Sequence, residues 1–203
     1  AAHTVAAYDD FTALEAFARK VDVVTYEFEN VPGDTAGFLD ALVPVAPGVS
    51  ALKTAQDRIA EKTFISGLGI PVAPFADVSD LASLEAALAR IGRPAVLKTR
   101  RFGYDGKGQA RIADEASISS AWDDIGHAPA ILEAYVPFSR EISVVAARSQ
   151  SGDVKAFEPC ENEHRNHILS RTLLPAAVSH RTVLAAIEAA ERIGAALAYV
   201  GVF

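Results

Sequence analysis

Lys98 closes a short apolar run, Ala95-Val96-Leu97, and opens onto Thr-Arg-Arg-Phe-Gly-Tyr-Asp-Gly-Lys-Gly-Gln, residues 99–109. Gly103, Gly106 and Gly108 tolerate positive φ and let backbone N–H groups approach an anion closely. Lys98, Arg100, Arg101 and Lys107 surround those glycines with positive charge, and the chemistry such a stretch serves is the holding of a polyphosphate. The loop is not a P-loop: Gly103-Tyr-Asp-Gly-Lys-Gly lacks both the four-residue gap between glycines and the Ser or Thr that follows the lysine. It is not a dinucleotide fingerprint either. Glycine beside Asp also builds a β-hairpin turn, which is the plainer alternative; four cations in the same stretch favour the anion.

Other chemistry-bearing residues lie elsewhere along the chain. Glu27 and Glu29 fall on one face of an extended Val21–Phe28 run by period two, where solvent-facing carboxylates are the ordinary outcome. Arg58, Glu61 and Lys62 follow Gln56-Asp57 on a helical pattern, and a solvated charged face is the ordinary reading there. Glu133 ends the apolar run Ala130-Ile-Leu, and Ile131, Leu132, Tyr135 and Val136 could frame a flat base. Residues 160–168 gather Cys160, Glu161, Glu163, His164, Arg165, Asn166 and His167. His164 and His167 at i, i+3 beside one thiol lack a second paired ligand set, which disfavours zinc, and no protein metal site is expected among these residues.

Taken together, Lys98, Gly103–Gln109, Val23-Val-Thr-Tyr-Glu-Phe-Glu-Asn-Val-Pro32, Gln56-Asp-Arg-Ile-Ala-Glu-Lys62 and Glu161-Asn-Glu-His-Arg-Asn-His-Ile-Leu169 resemble the N5-carboxyaminoimidazole ribonucleotide synthases, ATP-grasp enzymes of purine biosynthesis. The likeness covers nearly the whole chain. It implies an ATP-grasp fold preceded by the tail of a Rossmann-like amino-terminal lobe, and a ligase that uses ATP, Mg2+ and bicarbonate on 5-aminoimidazole ribonucleotide, as a homodimer. Carried over position by position, Arg58 and Lys98 become the phosphate-binding catalytic residues. Gly103, Tyr104, Asp105, Gly106, Lys107, Gly108, Gln109, Glu133, Ala134, Tyr135, Val136, Glu141 and His164 become ATP contacts, with backbone at Glu133–Val136 meeting the purine edge and a carboxylate meeting the ribose. Glu27 becomes a candidate contact to the amine substrate, Arg165 and Asn166 become candidate contacts to phosphate or bicarbonate, and Lys62 receives no role. The resemblance also implies that the first lobe opens upstream of residue 1 and that the magnesium-binding glutamates lie beyond Phe203. Two alternatives stay open: a nucleotide-binding ATP-grasp module without activity, or another ATP-grasp ligase such as formate-dependent glycinamide ribonucleotide transformylase.

The elements that must position these groups follow from periodicity. Phe11, Leu14 and Phe17 predict a helix, the Val21–Phe28 run a strand, and residues 33–42 a helix. Turn-rich Val43-Pro-Val-Ala-Pro-Gly48 then predicts a boundary near residue 50. Ala60, Phe64 and Leu68 predict a helix stopped by Gly69 and Pro71. Residues 72–136 read as a small α+β lobe in the order strand, helix, strand, helix, strand, with Leu81–Ile91 capped by Ser79 or Asp80 and a second helix capped by Asp114. Residues 137–203 begin a larger lobe. There, Arg140–Arg148 reads as one strand in a hairpin with Val154–Phe157, and residues 160–168 link two extended runs. A long helix follows from Ser179 to about Leu197, then a strand at Tyr199–Phe203.

The 203 residues are 50% hydrophobic and 22% charged, enough apolar material for a core. A net charge of −7 disfavours nucleic acid as a partner. One cysteine excludes an internal disulfide. No run approaches the roughly 20 apolar residues of a membrane span, and the first ten residues lack the pattern of a secretory leader. A cytoplasmic setting is the expectation.

Overall fold

The computed structural model describes residues 2–103 and 106–203, so the roles expected of Tyr104 and Asp105 lie outside the described residues. Helix α1 (Phe11–Ala18) starts at Asp10, whose carboxylate accepts the Ala13 N–H at 3.0 Å. It shares a small core of Ala18, Val24, Leu39, Val43 and Val45 with α2 (Gly33–Asp40); α3 (Val49–Ala55) follows. The strand expected over Val21–Phe28 does not form. It is reduced to one parallel bridge, Val24 to Val45, with Val24 N–H donating to Pro44 O and Ala46 N–H to Val24 O, each at 2.9 Å. Pro44 has no N–H to give to the Asp22 carbonyl, so this ladder cannot lengthen on that side.

Helix α4 (Arg58–Gly67) opens on Asp57, which accepts the N–H groups of Ile59 at 2.9 Å and Ala60 at 3.3 Å. Gly69, at φ 69°, ends the turn that follows. Next comes a lobe of β1 (Phe75–Val78), α5 (Leu81–Ile91), β2 (Ala95–Thr99), β3 (Gln109–Ile112), α6 (Ser117–Asp124) and β4 (Ala130–Ala134). Asp80 and Ser83 close a reciprocal capping box on α5. Asp114 accepts the Ser117 N–H at 3.0 Å before α6. The strands form one antiparallel sheet in the order β1-β4-β2-β3. Strand β3 is additional to the expected order; it makes the glycine stretch the connection of a β2–β3 hairpin.

Alternation then sorts this sheet into two faces. Val78, Ala95, Leu97, Ile112, Ala130 and Leu132 join Leu84, Leu88 and Trp122 of the two helices in the main core. The intervening residues, Val96 and Lys98 of β2 with Ile131 and Glu133 of β4, turn the other way, and in register Lys98 stands opposite Ile131, one pleat from Glu133. Two polar side chains are thereby placed on the face that α5 and α6 do not cover.

The remaining elements are β5 (Glu141–Ser143), β6 (Ala146–Arg148), β7 (Val154–Ala156), β8 (Cys160–Arg165), β9 (Ile168–Leu173), α7 (His180–Ala196, capped by Ser179) and β10 (Gly201–Val202). The single strand expected across 140–148 is broken in two. Strand β5 pairs with β8, whereas β6 pairs with β7 and β10, so the chain changes sheets between Ser143 and Ala146 and the hydrogen-bonding partners change with it. The 160–168 segment is not a link between strands. It is β8, a turn at Asn166 and His167 with φ of 50° and 65°, and the first residue of β9. Among the described residues no helix is long and apolar enough to cross a membrane.

Candidate functional site

Residues 58, 61 and 62 are i, i+3 and i+4 on one helix, so Arg58, Glu61 and Lys62 leave α4 on the same side. That side faces the polar pleat of the sheet. Lys98 Nζ lies 2.9 Å from one Glu133 oxygen and Lys62 Nζ lies 3.4 Å from the other. Glu133 is 7% exposed, and its charge is tolerated there because two ammonium groups share it. Arg58 lines an open cleft of about 610 Å³ with Phe28, Glu29, Gln56, Glu61, Arg101 and Gly103. Glu61 feels its surroundings strongly. Burial pushes its carboxyl above the usual range, Glu133 and Glu29 push the same way, and Arg58 and Lys62 oppose them.

The residues just before α4 tie this cleft to the loop. Gln56, buried, donates to the carbonyls of Glu29 at 2.7 Å and Val31 at 2.6 Å and accepts from Arg101 Nη2 at 2.9 Å. Asp57 receives Arg100 through Nε and Nη2, at 2.7 Å for the shortest contact, while Arg100 Nη1 reaches Asp77 at 3.2 Å. Arg100 therefore differs from its expected role: two carboxylates occupy its guanidinium, leaving it a strut of the loop rather than a cation directed at phosphate. Burial works against the Asp57 charge, but Arg100 and the backbone donors of Ile59 and Ala60 outweigh it and hold the carboxyl below its usual range.

The glycines of the loop are explained by close approaches. A Cβ on Gly108, at φ 66°, would lie 2.7 Å from Thr99 Oγ1, and one on Gly106, at φ 76°, would lie 2.6 Å from the His167 ring. Gln109 Nε2 meets His167 Nδ1 at 3.3 Å. The β2–β3 loop and the β8–β9 turn thus touch, and Gly103 brings its backbone beside Arg58, whose Nη2 would be 3.5 Å from a Cβ there.

Of the expected nucleotide contacts, Arg58, Lys98, Gly103 and Glu133 gather around α4 and the sheet, while Gly106 and Gln109 meet the turn at His167. Glu141 and His164 form a second group, with Glu141 Oε2 2.9 Å from His164 Nδ1 on the paired strands β5 and β8. Arg165 and Asn166 project, exposed, at the end of that hairpin. Along Glu133–Val136, the Ala134 N–H donates to Pro74 O at 2.9 Å and the Tyr135 N–H to Pro94 O at 3.1 Å. The Tyr135 ring carries the Arg111 guanidinium 4.7 Å from its centre. Glu27 sits apart from the Arg58 cleft. It lines a second cleft of about 380 Å³ with Tyr26, Glu29, Pro47 and Tyr199–Val202, where burial, followed by Tyr199 and Glu29, pushes the Tyr26 hydroxyl up to about 12.

Sequence reasoning missed Gln56, Asp57, Glu61, Lys62 and His167. The i, i+3, i+4 spacing was the signal for the α4 face; nothing in the sequence alone pairs position 62 with position 133. Among the described residues, no group of three or more His, Cys, Asp or Glu is arranged to hold a metal ion.

Comparison with known proteins gives the family. Residues 63–203 match the ATP-grasp domain family and residues 1–56 the ribonucleotide synthetase preATP-grasp domain family. An N5-carboxyaminoimidazole ribonucleotide synthase of Brucella melitensis is 50% identical over 200 residues, 98% of this chain and 55% of that protein. Among solved structures, the N5-carboxyaminoimidazole ribonucleotide synthetase of Thermus thermophilus superposes with a TM-score of 0.89 at 42% identity, over 98% of this chain and 54% of that one. The N5-carboxyaminoimidazole synthetase of Staphylococcus aureus complexed with ADP gives 0.90 at 33% identity, over 98% and 53%. The chain spans about half the length of the relatives it matches.

Proposed function

The chain belongs to the ATP-grasp family, among the N5-carboxyaminoimidazole ribonucleotide synthases, and from that membership we propose that it binds ATP and serves the carboxylation of 5-aminoimidazole ribonucleotide by bicarbonate. The reaction takes two displacements. A bicarbonate oxygen attacks the γ-phosphorus and ADP leaves, giving carboxyphosphate; the substrate amine then attacks the carboxyl carbon and phosphate leaves. The first displacement spreads negative charge over phosphoryl oxygens, and fixed cations facing them lower its barrier. The observation that carries the reading is the convergence of Lys98, Lys62 and Arg58 beside the glycine loop.

In this proposal Lys98 and Arg58 hold the phosphates, together with backbone of the loop from Gly103 to Gln109. The segment Glu133–Val136 borders the base, and Glu141 with His164 serves the nucleotide from the opposite strands. Glu27, Arg165 and Asn166 are assigned to the amine substrate and bicarbonate. Magnesium would accompany ATP as its cofactor. The division into an amino-terminal lobe ending near residue 50, a small ATP-grasp lobe and the start of a larger one is part of the same proposal, as are a homodimer and a cytoplasmic setting.

Calorimetry with ATP tests the reading. The chain is expected to bind ATP, and Lys98→Ala to weaken binding by about 1.5–3 kcal/mol, the usual worth of a hydrogen bond to a charged group. Unchanged affinity in the variant would remove Lys98 from the site. Phosphate release with bicarbonate, compared between 5-aminoimidazole ribonucleotide and glycinamide ribonucleotide with formate, separates this activity from that of the other ligase; nucleotide binding with no release on either substrate favours the binding module.

A further inference from the structure

We propose that Lys62 is a positioning residue of the nucleotide site, whose ammonium offsets the Glu133 carboxylate so that Lys98 keeps an uncompensated positive charge for phosphate. The inference rests on the ATP-binding reading above. The geometry behind it is the shared carboxylate, with Lys98 on one Glu133 oxygen at 2.9 Å and Lys62 on the other at 3.4 Å. All three side chains are largely withdrawn from solvent, at 25%, 20% and 9% exposure for Lys98, Lys62 and Glu133.

Lys98 alone against Glu133 is a closed ion pair. Such a pair presents no net charge to an incoming polyphosphate, and the carboxylate next to the phosphate would repel it. Lys62 changes that sum. Around the carboxylate and along the α4 face, three cations (Arg58, Lys62 and Lys98) meet two carboxylates (Glu61 and Glu133), while Glu29 stays on the exposed rim of the cleft. Removing Lys62 brings the group to neutrality without unpairing any buried charge, because Glu133 keeps Lys98. The consequence falls on phosphate affinity more than on folding.

A charge role and a packing role predict different patterns of binding. Lys62→Gln is expected to weaken ATP binding roughly tenfold, a change of about 1.4 kcal/mol, and to leave adenosine binding, followed by ligand-detected NMR, where it was. Lys62→Arg, which keeps the charge, is expected to stay within about threefold of the unsubstituted chain. The double variant Lys62→Gln/Glu133→Gln, which restores the positive balance by removing the carboxylate, is expected to regain most of the lost ATP affinity. Three outcomes would each overturn the inference: unchanged ATP affinity in Lys62→Gln, equal losses for ATP and adenosine, or no recovery in the double variant. If the unsubstituted chain binds no ATP, the underlying reading fails instead. Thermal melts of each variant show that the comparisons are made between folded proteins.

Discussion

The α4 face and the β8–β9 hairpin are both dense in charge, and both carry residues expected to serve the nucleotide, yet they handle that charge in opposite ways. On the α4 face one buried carboxylate is shared by two lysines from different elements; the sheet register fixes where Lys98 stands, and the helical spacing of α4 fixes where Lys62 does. On the hairpin, Glu163 pairs with Arg171 at 2.5 Å and Arg140 with Glu161 at 2.6 Å, with side chains open to water except that of Glu161. Charges removed from water interact strongly and cannot be altered singly without cost, whereas exposed pairs are screened and lose side-chain entropy in meeting. Burial, more than charge density, decides how strongly each group answers the loss of one charge.

Asp57 offers the sharpest way to break that comparison. It caps α4 and also holds Arg100, so Asp57→Ala removes both a cap and a charge-assisted bond. Denaturant unfolding at pH 7 is expected to show a loss of about 2–3 kcal/mol, with Asp77 still holding part of Arg100. Because the folded carboxyl lies below its ordinary value of 3.8, its contribution is present above that value and disappears as pH falls through the folded one. The gap between the two proteins should therefore shrink in acid. A loss that does not change with pH would mean that the charge of Asp57 is not what matters.

Glu61 should move stability the other way. Its folded carboxyl lies above the ordinary 4.5, with burial as the leading cause. A carboxyl raised on folding stabilises the folded state only while protonated, and that contribution is lost as pH climbs from the ordinary value through the folded one. At pH 7 Glu61 thus costs stability. Glu61→Gln is expected to melt higher than the unsubstituted chain at pH 7, with the two converging near pH 4. A lower melting point at pH 7 would show that attraction to Arg58 and Lys62 outweighs burial on this face.

Local signals made much of the framework legible. The stripe Leu81, Leu84, Leu88 and Ile91 marks α5, Ser179 marks the start of α7, and the apolar run before Lys98 marks β2, each because a few neighbouring residues decide the outcome. Errors arise where partners decide. Val21–Phe28 has the composition of a strand, but Pro44 leaves its ladder without a donor on one side, and residues 140–148 alternate like one strand while serving two sheets. The site divides along the same line. Lys98, Arg58 and the loop glycines stand out in sequence through motif and spacing. Lys62 looks in sequence like one more charge on a helix, because its partner is 71 positions away and only the packing of α4 against the sheet brings Glu133 within its reach. Arg100 misleads for the mirror-image reason: Asp57 and Asp77 claim it from two other elements.

The smallest expected effect belongs to Glu163 on the hairpin. Arg171 hydrogen-bonds its carboxylate and, against desolvation, holds the group below its ordinary 4.5, with the charges of Arg171 and Arg165 adding to the attraction. Taken alone, that direction would place a contribution to stability above the ordinary value and remove it as pH falls. Exposure cancels most of it, since both side chains are solvated in the folded and unfolded chain and salt at physiological strength screens them within about 8 Å. Glu163→Gln is therefore expected to leave the melting midpoint unchanged at pH 7 in about 0.15 M salt, and to leave ATP affinity unchanged as well, although it alters a residue next to His164. Melting at low and at physiological salt checks this. A salt-independent drop would mean that the hairpin is covered in the protein as it works in solution, and its charges would then belong with those on α4.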